Sequence, residues 1–237
     1  MKISGNIATT IVASEDMTHV YEITKDLCCE GEEVILLTLY PTITEPSKCD
    51  LSTMHMINHC ADEGLHWSKI HFVYLFSKVA GSKLSTRGLS VDEENMDYLK
   101  SLIAEKSDAK LIIAFGSSME KCPAAVESKV EVFKLIKELR TDVQLWQINA
   151  DGMEEEAPHI LFAGIRYGNE NCRLRSYVVP YKYTPSGYMD YLANKEILRE
   201  RFIKNINGGK KSESDEVVVA REDKENSKSA KKTRKGK

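Results

Sequence analysis

The sequence predicts an α/β fold with a mostly parallel central sheet. Apolar runs of strand length alternate with helix-like segments, and these runs are Val34–Leu39, Lys69–Phe76, Lys110–Phe115 and Val143–Ile148. Such near-continuous apolar runs are typical of strands covered on both faces, as in parallel sheets. Alternation of strands and helices indicates right-handed crossovers between parallel strands. We therefore expect the four runs to be neighbouring strands of one sheet, with the helices as its covers.

Three segments between these runs have the residue pattern of helices. Leu51–Glu63 carries apolar residues at every third or fourth position, and Gly64 can end it. Ser90–Glu93 has the form of a capping box and is predicted to open the second helix. The third is predicted over Pro123–Arg140, because proline is favoured in the first turn and the apolar spacing continues beyond it.

Hairpins and a last helix are predicted to flank this core. Thr9–Ala13 and His19–Ile23 are β-prone runs on either side of a polar turn, which is typical of a hairpin. A second hairpin is predicted from the β-prone stretches Ile160–Tyr167 and Cys172–Val179. A last amphipathic helix is predicted over about Gly187–Ile206.

The charge distribution predicts one α/β domain over residues 1–208 and a disordered basic tail over residues 209–237. The tail holds ten Lys/Arg and six Asp/Glu, whereas the other residues hold 23 and 30. The tail has too little apolar surface to order itself. It is either a solubilising segment or a segment that contacts nucleic acid non-specifically. The acidic body lacks the basic excess of a duplex-binding domain.

Composition indicates a cytoplasmic protein without a membrane partner. Hydrophobic residues make up 42% of the chain, and no apolar run approaches the roughly 20 residues of a membrane helix. The first residues lack the apolar stretch of a signal peptide. The six cysteines are irregularly spaced in a chain too large for a disulfide scaffold, so we expect reduced thiols. No signal for an oligomeric state is present.

Six short motifs stand in the order used by one bacterial and phage family. They are Ser14-Glu15-Asp16, Leu39-Tyr40-Pro41-Thr42, Cys49-Asp50-Leu51-Ser52-Thr53, Leu75-Phe76, Ala114-Phe115-Gly116 and His159-Ile160-Leu161. The chain thereby resembles the Domain of Unknown Function 1643 family over about residues 9–180. It departs from the family pattern where Tyr40 and Tyr74 replace Asn, Phe115 replaces Trp, and Ile160 replaces Pro.

A second and more distant resemblance is to the uracil-DNA glycosylase superfamily. It rests on the family pattern of three loops, namely Asn-Pro after the first strand, Trp-Gly after a later strand and His-Pro near the end. The resemblance implies a three-layer α/β/α sandwich with a base-sized pocket and glycosylase-like hydrolysis. Fold-level analogy of this kind does not establish function.

Candidate site residues follow the ends of the predicted strands. Ligands of open α/β sheets bind outside the carboxyl ends of the strands. The candidate ligand-binding residues are Tyr40, Pro41, Thr42, Tyr74, Lys83, Arg87, Gly116 and Ser117. The candidate catalytic residues are His159, as an acid or base near neutral pH, and Asp50. Simpler interpretations are an N-cap for Asp50 and solvated or turn residues for the others.

No metal and no cofactor are expected. His55 and His59 lie four apart on a predicted helix, which can place two histidines on one metal. However, no H-E-x-x-H motif is present, and Cys60 points about 100° away from its neighbour. The chain contains neither a P-loop nor a G-x-G-x-x-G motif.

These observations predict binding of a nucleotide, nucleobase or nucleic-acid end at the carboxyl edge of the sheet. Glycosylase-like hydrolysis is a further expectation from the resemblance. The alternative is a non-catalytic interaction module with a vestigial pocket. Tyrosine at positions 40 and 74 favours this non-catalytic alternative. The motifs around the two tyrosines, which keep the order of the family pattern, favour a ligand-binding site.

Overall fold

The computed structural model describes residues 5–81, 83–116, 119–150, 157–168, 171–197, 199–200 and 203. The side chains of residues 60–62, 161–163 and 167 are not described. The chain divides into two compact units, residues 1–188 and 189–237. The predicted tail, residues 209–237, lies outside the described residues, and the predicted domain boundary at residue 208 stays a prediction.

Within its described residues, the first unit contains seven strands and four α-helices. The strands are β1 (Ala8–Ala13), β2 (Val20–Asp26), β3 (Glu32–Thr38), β4 (Trp67–Tyr74), β5 (Lys110–Ile113), β6 (Leu145–Ala150) and β7 (Cys172–Ser176). The helices are α1 (Leu51–Asp62), α2 (Glu93–Glu105), α3 (Pro123–Leu139) and α4 (Ile160–Tyr167). A 3₁₀ turn at Tyr181–Tyr183 follows, and residues 185–188 begin a further helix.

The second unit is helical at residues 189–197, 199–200 and 203. This agrees with the predicted last helix at those positions, while the rest of that prediction lies outside the described residues. None of the described helices has the length and apolar character that are needed to cross a membrane.

All seven strands form one sheet in the order β1-β2-β4-β3-β5-β6-β7. The four runs predicted to be neighbouring parallel strands are confirmed, because β4, β3, β5 and β6 pair in parallel. The expectation of a mostly parallel sheet is wrong. The pairings of β1 with β2, of β2 with β4 and of β6 with β7 are antiparallel. The chain thus adds antiparallel strands to both edges of a parallel centre.

β3 lies at the centre of the sheet and is buried on both faces. Its residues Val34–Leu37 are at most 4% exposed, as expected for a near-continuous apolar run. Val34 and Leu36 share one face with Met56 of α1 and Ile160 of α4 in a single hydrophobic cluster. Among the helices, α1 contacts α4 and α2 contacts α3.

The first predicted hairpin is confirmed, and the second is wrong. β1 pairs antiparallel with β2 across the polar turn. Ile160–Tyr167, by contrast, forms helix α4, and β7 pairs with β6 instead. A short apolar run does not distinguish a strand from a buried helix. Gly168 ends α4 in the left-handed conformation, with φ at 78°, and its N–H donates to the Gly164 carbonyl over 3.1 Å.

Two boundaries also differ from the prediction. The N-cap of α2 is Asp92 rather than Ser90, and its carboxylate accepts a hydrogen bond from the backbone N–H of Asn95 over 3.2 Å. Asp92 also accepts from the Ser77 hydroxyl over 2.7 Å, so this residue fastens the loop after β4 to α2. The fourth predicted strand begins at Leu145 rather than Val143.

A buried polar network joins β2, β3 and β4. His71 and Glu22 are 3% and 4% exposed, and His71 Nδ1 lies 2.5 Å from Glu22 Oε1. His71 Nε2 lies 3.2 Å from Glu33 Oε2, and the Tyr98 hydroxyl of α2 donates to the other oxygen of Glu22. Burial raises the pKa of Glu22, but hydrogen bonds from His71, Thr24 and Tyr98 outweigh it and lower that pKa overall.

Replacing Glu22 by Gln should make the fold less stable and less sensitive to acid. Because its pKa is lowered in the folded state, Glu22 stabilises the fold above the ordinary glutamate pKa of about 4.3, and this contribution is lost as the pH falls through the folded value. E22Q should lower the free energy of unfolding by about 3 kcal/mol at pH 7 and by less at pH 3, measured by urea denaturation.

The matched control for this experiment is Glu45→Gln. Glu45 forms an exposed pair with Lys48, with side chains 57% and 61% exposed. Such pairs contribute little, so E45Q should change the free energy of unfolding by under about 0.5 kcal/mol. An effect of E22Q that is the same at both pH values would contradict the stabilising role of the ionised carboxylate.

Candidate functional site

A cavity of about 740 Å³ lies at the carboxyl ends of β3 and β4. Small-molecule sites typically have volumes of roughly 300–1,000 Å³. The lining residues are Thr38, Leu39, Tyr40, Thr42, Asp50, Ser52, Thr53, Phe72, Tyr74, Lys83, Leu84, Met119, His159, Ile165 and Arg166. The structure thus brings six predicted site residues to one cavity, and these are Tyr40, Thr42, Asp50, Tyr74, Lys83 and His159.

Main-chain hydrogen bonds join the loops that follow β3 and β4. The Phe76 N–H donates to the Leu39 carbonyl over 3.1 Å, and the Ala80 N–H donates to the Pro41 carbonyl over 3.0 Å. Pro41 is buried and is not among the lining residues. The structure therefore places Pro41 behind the cavity wall, where its carbonyl holds the two loops together.

Asp50 caps α1 and also lines the cavity. One carboxylate oxygen accepts from the backbone N–H of Thr53 over 2.7 Å, and the other accepts from the Thr42 hydroxyl over 2.5 Å. The first bond is that of an N-cap, which satisfies a helix N–H that would otherwise lack a partner. The second ties α1 to the loop after β3. Both carboxylate oxygens are therefore already engaged within the protein.

Tyr74 and Phe72 form the β4 side of the cavity. They lie two residues apart on one face of the strand and are 6% and 4% exposed. The Tyr74 carbonyl accepts a hydrogen bond from the Asn95 side chain of α2 over 2.7 Å. Burial raises the pKa of the Tyr74 hydroxyl well above its ordinary value, and the charge of Asp50 raises it further. This hydroxyl is therefore protonated at neutral pH.

His159 is held against the turn at Gly116. The Gly116 N–H donates to the Ala157 carbonyl over 2.9 Å. Gly116 has a φ of 63°, and a Cβ atom added to it would lie 3.1 Å from the His159 backbone nitrogen. The close approach and the positive φ both require glycine at this position. Gly116 thus supports the wall that carries His159 without being a lining residue itself.

A buried lysine holds the other side of this turn. Lys129 of α3 is fully buried, and its ammonium donates to the Gly116 carbonyl over 3.2 Å and to the Tyr183 hydroxyl over 3.1 Å. The ammonium also lies 4.7 Å from the centre of the Phe115 ring and 4.9 Å from that of Tyr183. These cation–π contacts and hydrogen bonds fix the Gly116 carbonyl.

Positive charge predominates on the cavity wall. Lys83 and Arg166 line the cavity, together with the imidazole of His159. Among the described lining residues, Asp50 is the only carboxylate. The described lining thus contains two cationic side chains and one carboxylate.

Three of the predicted ligand-binding residues, Pro41, Arg87 and Gly116, do not line the cavity. Arg87 is exposed and lies outside the lining set, although it belongs to the same loop as Lys83. Ser117 lies outside the described residues. Gly116, which directly precedes Ser117, contributes to the site through its backbone conformation.

The sequence-based prediction missed Arg166 and Lys129. Arg166 fell in a segment predicted as a strand, although it stands seven residues after His159, a spacing that places two residues on one face of a helix. Lys129 stands three residues after Val126 and four before Phe133, on the apolar face of α3. A lysine among the apolar residues of one helix face indicates a buried ammonium group, and this signal was present in the sequence.

The histidine pair on α1 forms no metal cluster in the described structure. His59 is buried, and the Nδ1 atom of His55 is buried without a hydrogen-bond partner. In the part of the chain that is described, no group of three or more His, Cys, Asp or Glu side chains has the arrangement of a metal site. The side chain of Cys60 lies outside the described set.

Comparison with known proteins shows the family. The model of a family described as a protein of unknown function, DUF1643, matches residues 21–156, which is more than half of the chain. The chain belongs to the DUF1643 family. No curated protein matches the chain, and no solved structure matches it. Four of the six motifs lie inside the matched range of DUF1643, whereas Ser14-Glu15-Asp16 and His159-Ile160-Leu161 lie outside it.

The two tyrosines at positions where the sequence analysis expects asparagine both line the cavity. Tyr40 stands in the loop after β3, and Tyr74 ends β4. Phe115, where the sequence analysis expects tryptophan, packs against Lys129.

Replacing Gly116 by Ala should destabilise the fold more than the same change at Gly88. Gly88 has a similar φ of 71° but no atom within 4 Å of an added Cβ, so Gly88→Ala measures the cost of the backbone conformation alone. That cost is about 1 kcal/mol. Gly116→Ala must also displace the His159 backbone, so we expect about 2–3 kcal/mol in urea denaturation. Equal costs for the two variants would contradict the close contact.

Proposed function

We propose that this protein binds a nucleotide, a nucleobase or the end of a nucleic-acid strand in the cavity at the carboxyl ends of β3 and β4. The observation that carries the proposal is that one cavity combines the cations Lys83 and Arg166 with a wall that is mostly apolar. A nucleotide has the same two parts, an anionic phosphate and a flat base that stacks on apolar surface. The basic segment over residues 227–237 is a further proposed contact for a nucleic-acid strand.

The charge of the rest of the chain supports an anionic ligand at this place. Residues 1–208 hold 23 Lys/Arg and 30 Asp/Glu, so the body as a whole repels anions. Cations that line one cavity of an acidic body concentrate anionic ligands there. We therefore assign the phosphate to the cations Lys83 and Arg166, and the base to Phe72 and Tyr74.

Glycosylase-like hydrolysis requires a residue that activates water, and the described geometry supports binding more than hydrolysis. Both oxygens of Asp50 already accept hydrogen bonds from Thr42 and Thr53. Kinship with the uracil-DNA glycosylase superfamily, and with it a three-layer sandwich, is part of this proposal. The helix pairs α1–α4 and α2–α3 are consistent with two helical layers.

A second candidate function is a non-catalytic interaction module. Exposed apolar side chains beside the cavity favour it. Leu51 and Met54 of α1 are 57% and 48% exposed, and Ile165 of α4, which lines the cavity, is 67% exposed. Exposed apolar clusters of this kind mark surfaces that contact partners.

The first experiment is a titration of the full chain with UMP, CMP, AMP and GMP by isothermal calorimetry at low ionic strength. We expect binding that Lys83→Ala weakens by about 1–2 kcal/mol, because a charged hydrogen bond to phosphate is lost. Arg87→Ala is the matched control, since this cation belongs to the same loop but does not line the cavity. It should leave the affinity nearly unchanged.

The same titration separates the candidate functions. If Lys83 makes an electrostatic contact with the ligand, added salt should lower the affinity of the wild type. The same salt should lower the affinity of Lys83→Ala by a smaller factor. Chromatography of the titrated samples reports free base if hydrolysis occurs. Absence of binding by all four nucleotides would overturn the nucleotide proposal and leave the interaction module.

A further inference from the structure

The Tyr74 hydroxyl is a donor on the cavity wall for which the described residues supply no acceptor. The residue is 6% exposed and lines the cavity. Its backbone carbonyl is engaged by Asn95, but none of the described residues forms a hydrogen bond with its hydroxyl. A bound ligand that offers an acceptor supplies the missing partner.

The charges on the wall decide which part of a ligand reaches Tyr74. A phosphate next to Tyr74 would also stand near the carboxylate of Asp50, whose charge acts on the Tyr74 hydroxyl. Two anionic groups in a partly desolvated cavity repel each other strongly. Lys83 and Arg166 offer the phosphate a favourable position elsewhere on the wall. The neutral end of the ligand therefore lies against Tyr74.

The surroundings of Tyr74 match a nucleobase better than a sugar. Phe72 lies two residues earlier on the same strand face and lines the same cavity. An aromatic ring is a platform for a flat base. A base also carries carbonyl oxygens or ring nitrogens at its rim, which accept a hydrogen bond from a phenol.

We infer that the Tyr74 hydroxyl donates a hydrogen bond to the base of the bound nucleotide, which makes Tyr74 a residue that distinguishes base-bearing phosphates from sugar phosphates. This inference rests on the proposed function. The ligand class that follows is a nucleoside phosphate whose base rim is free to accept, as in a monomer or an unpaired strand end.

The test compares UMP with ribose 5-phosphate, which has the same charge and sugar but no base. Calorimetry of the full chain should show that wild type binds UMP at least tenfold more tightly. Tyr74→Phe removes only the hydroxyl and should weaken UMP binding about tenfold while leaving ribose 5-phosphate unchanged. Removing a hydroxyl for which the described residues supply no acceptor costs little stability, so this variant should fold.

Tyr21→Phe is the matched control. Tyr21 is 7% exposed, lies on β2 and does not line the cavity. It should leave both affinities unchanged. The inference about Tyr74 would be overturned if Tyr74→Phe lost equal affinity for UMP and ribose 5-phosphate, or lost none. In either case, UMP binding by the wild type would still uphold the proposed function. Failure of both ligands to bind wild type would overturn both.

Discussion

The cavity depends on the turn that ends β5. At Gly116 the backbone has a positive φ and passes so close to His159 that an added Cβ would push against the His159 backbone, and the turn is held from both sides. Its N–H is bonded to Ala157, in the segment that leads into α4, and its carbonyl is bonded to the ammonium of Lys129. The position of His159, and with it the start of α4, follows from this one arrangement.

The sheet has an apolar centre and also contains a buried polar network. The four parallel strands are covered on both faces, and the apolar residues Val34–Leu37 of β3 are buried between these covers. The addition of β2 to one edge brings Glu22 opposite β4, where His71 and Tyr98 satisfy its carboxylate. A buried carboxylate at this position is tolerated because each of its oxygens has a donor. The polar network lies apart from the cavity, and none of its members is a lining residue.

Much of the fold was predictable from the sequence because parallel strands and their helices have distinct apolar patterns. The runs at Val34–Leu39 and Lys110–Phe115 read correctly as buried strands. Ile160–Tyr167 did not, since a short apolar segment has no period that separates strand from helix. The antiparallel attachment of β2 to β4 and of β7 to β6 was missed for another reason, because it depends on contacts between segments that the turn patterns of the sequence do not join.

The sequence predicted only some of the residues that line the cavity, because strand ends alone do not form its wall. Residues directly after strands, such as Tyr40 and Tyr74, were placed by the rule that ligands lie at carboxyl ends of parallel strands. Arg166 is brought to the cavity by a helix, and no rule about strand ends applies to it. Arg87 was predicted wrongly for the opposite reason, because it shares a loop with Lys83 and yet does not line the cavity. Composition identifies a cationic loop but not the direction of each side chain.

The bonds between the loops after β3 and β4 run from main chain to main chain, as between Ala80 and Pro41. Amides and carbonyls are the same at nearly every position, so these bonds survive when the side chains beside them are exchanged. The frame of the cavity therefore does not depend on the side chains of its wall. Substitutions on the wall, for example at Tyr40 or Tyr74, can change the ligand that fits while the spacing of the loops is preserved.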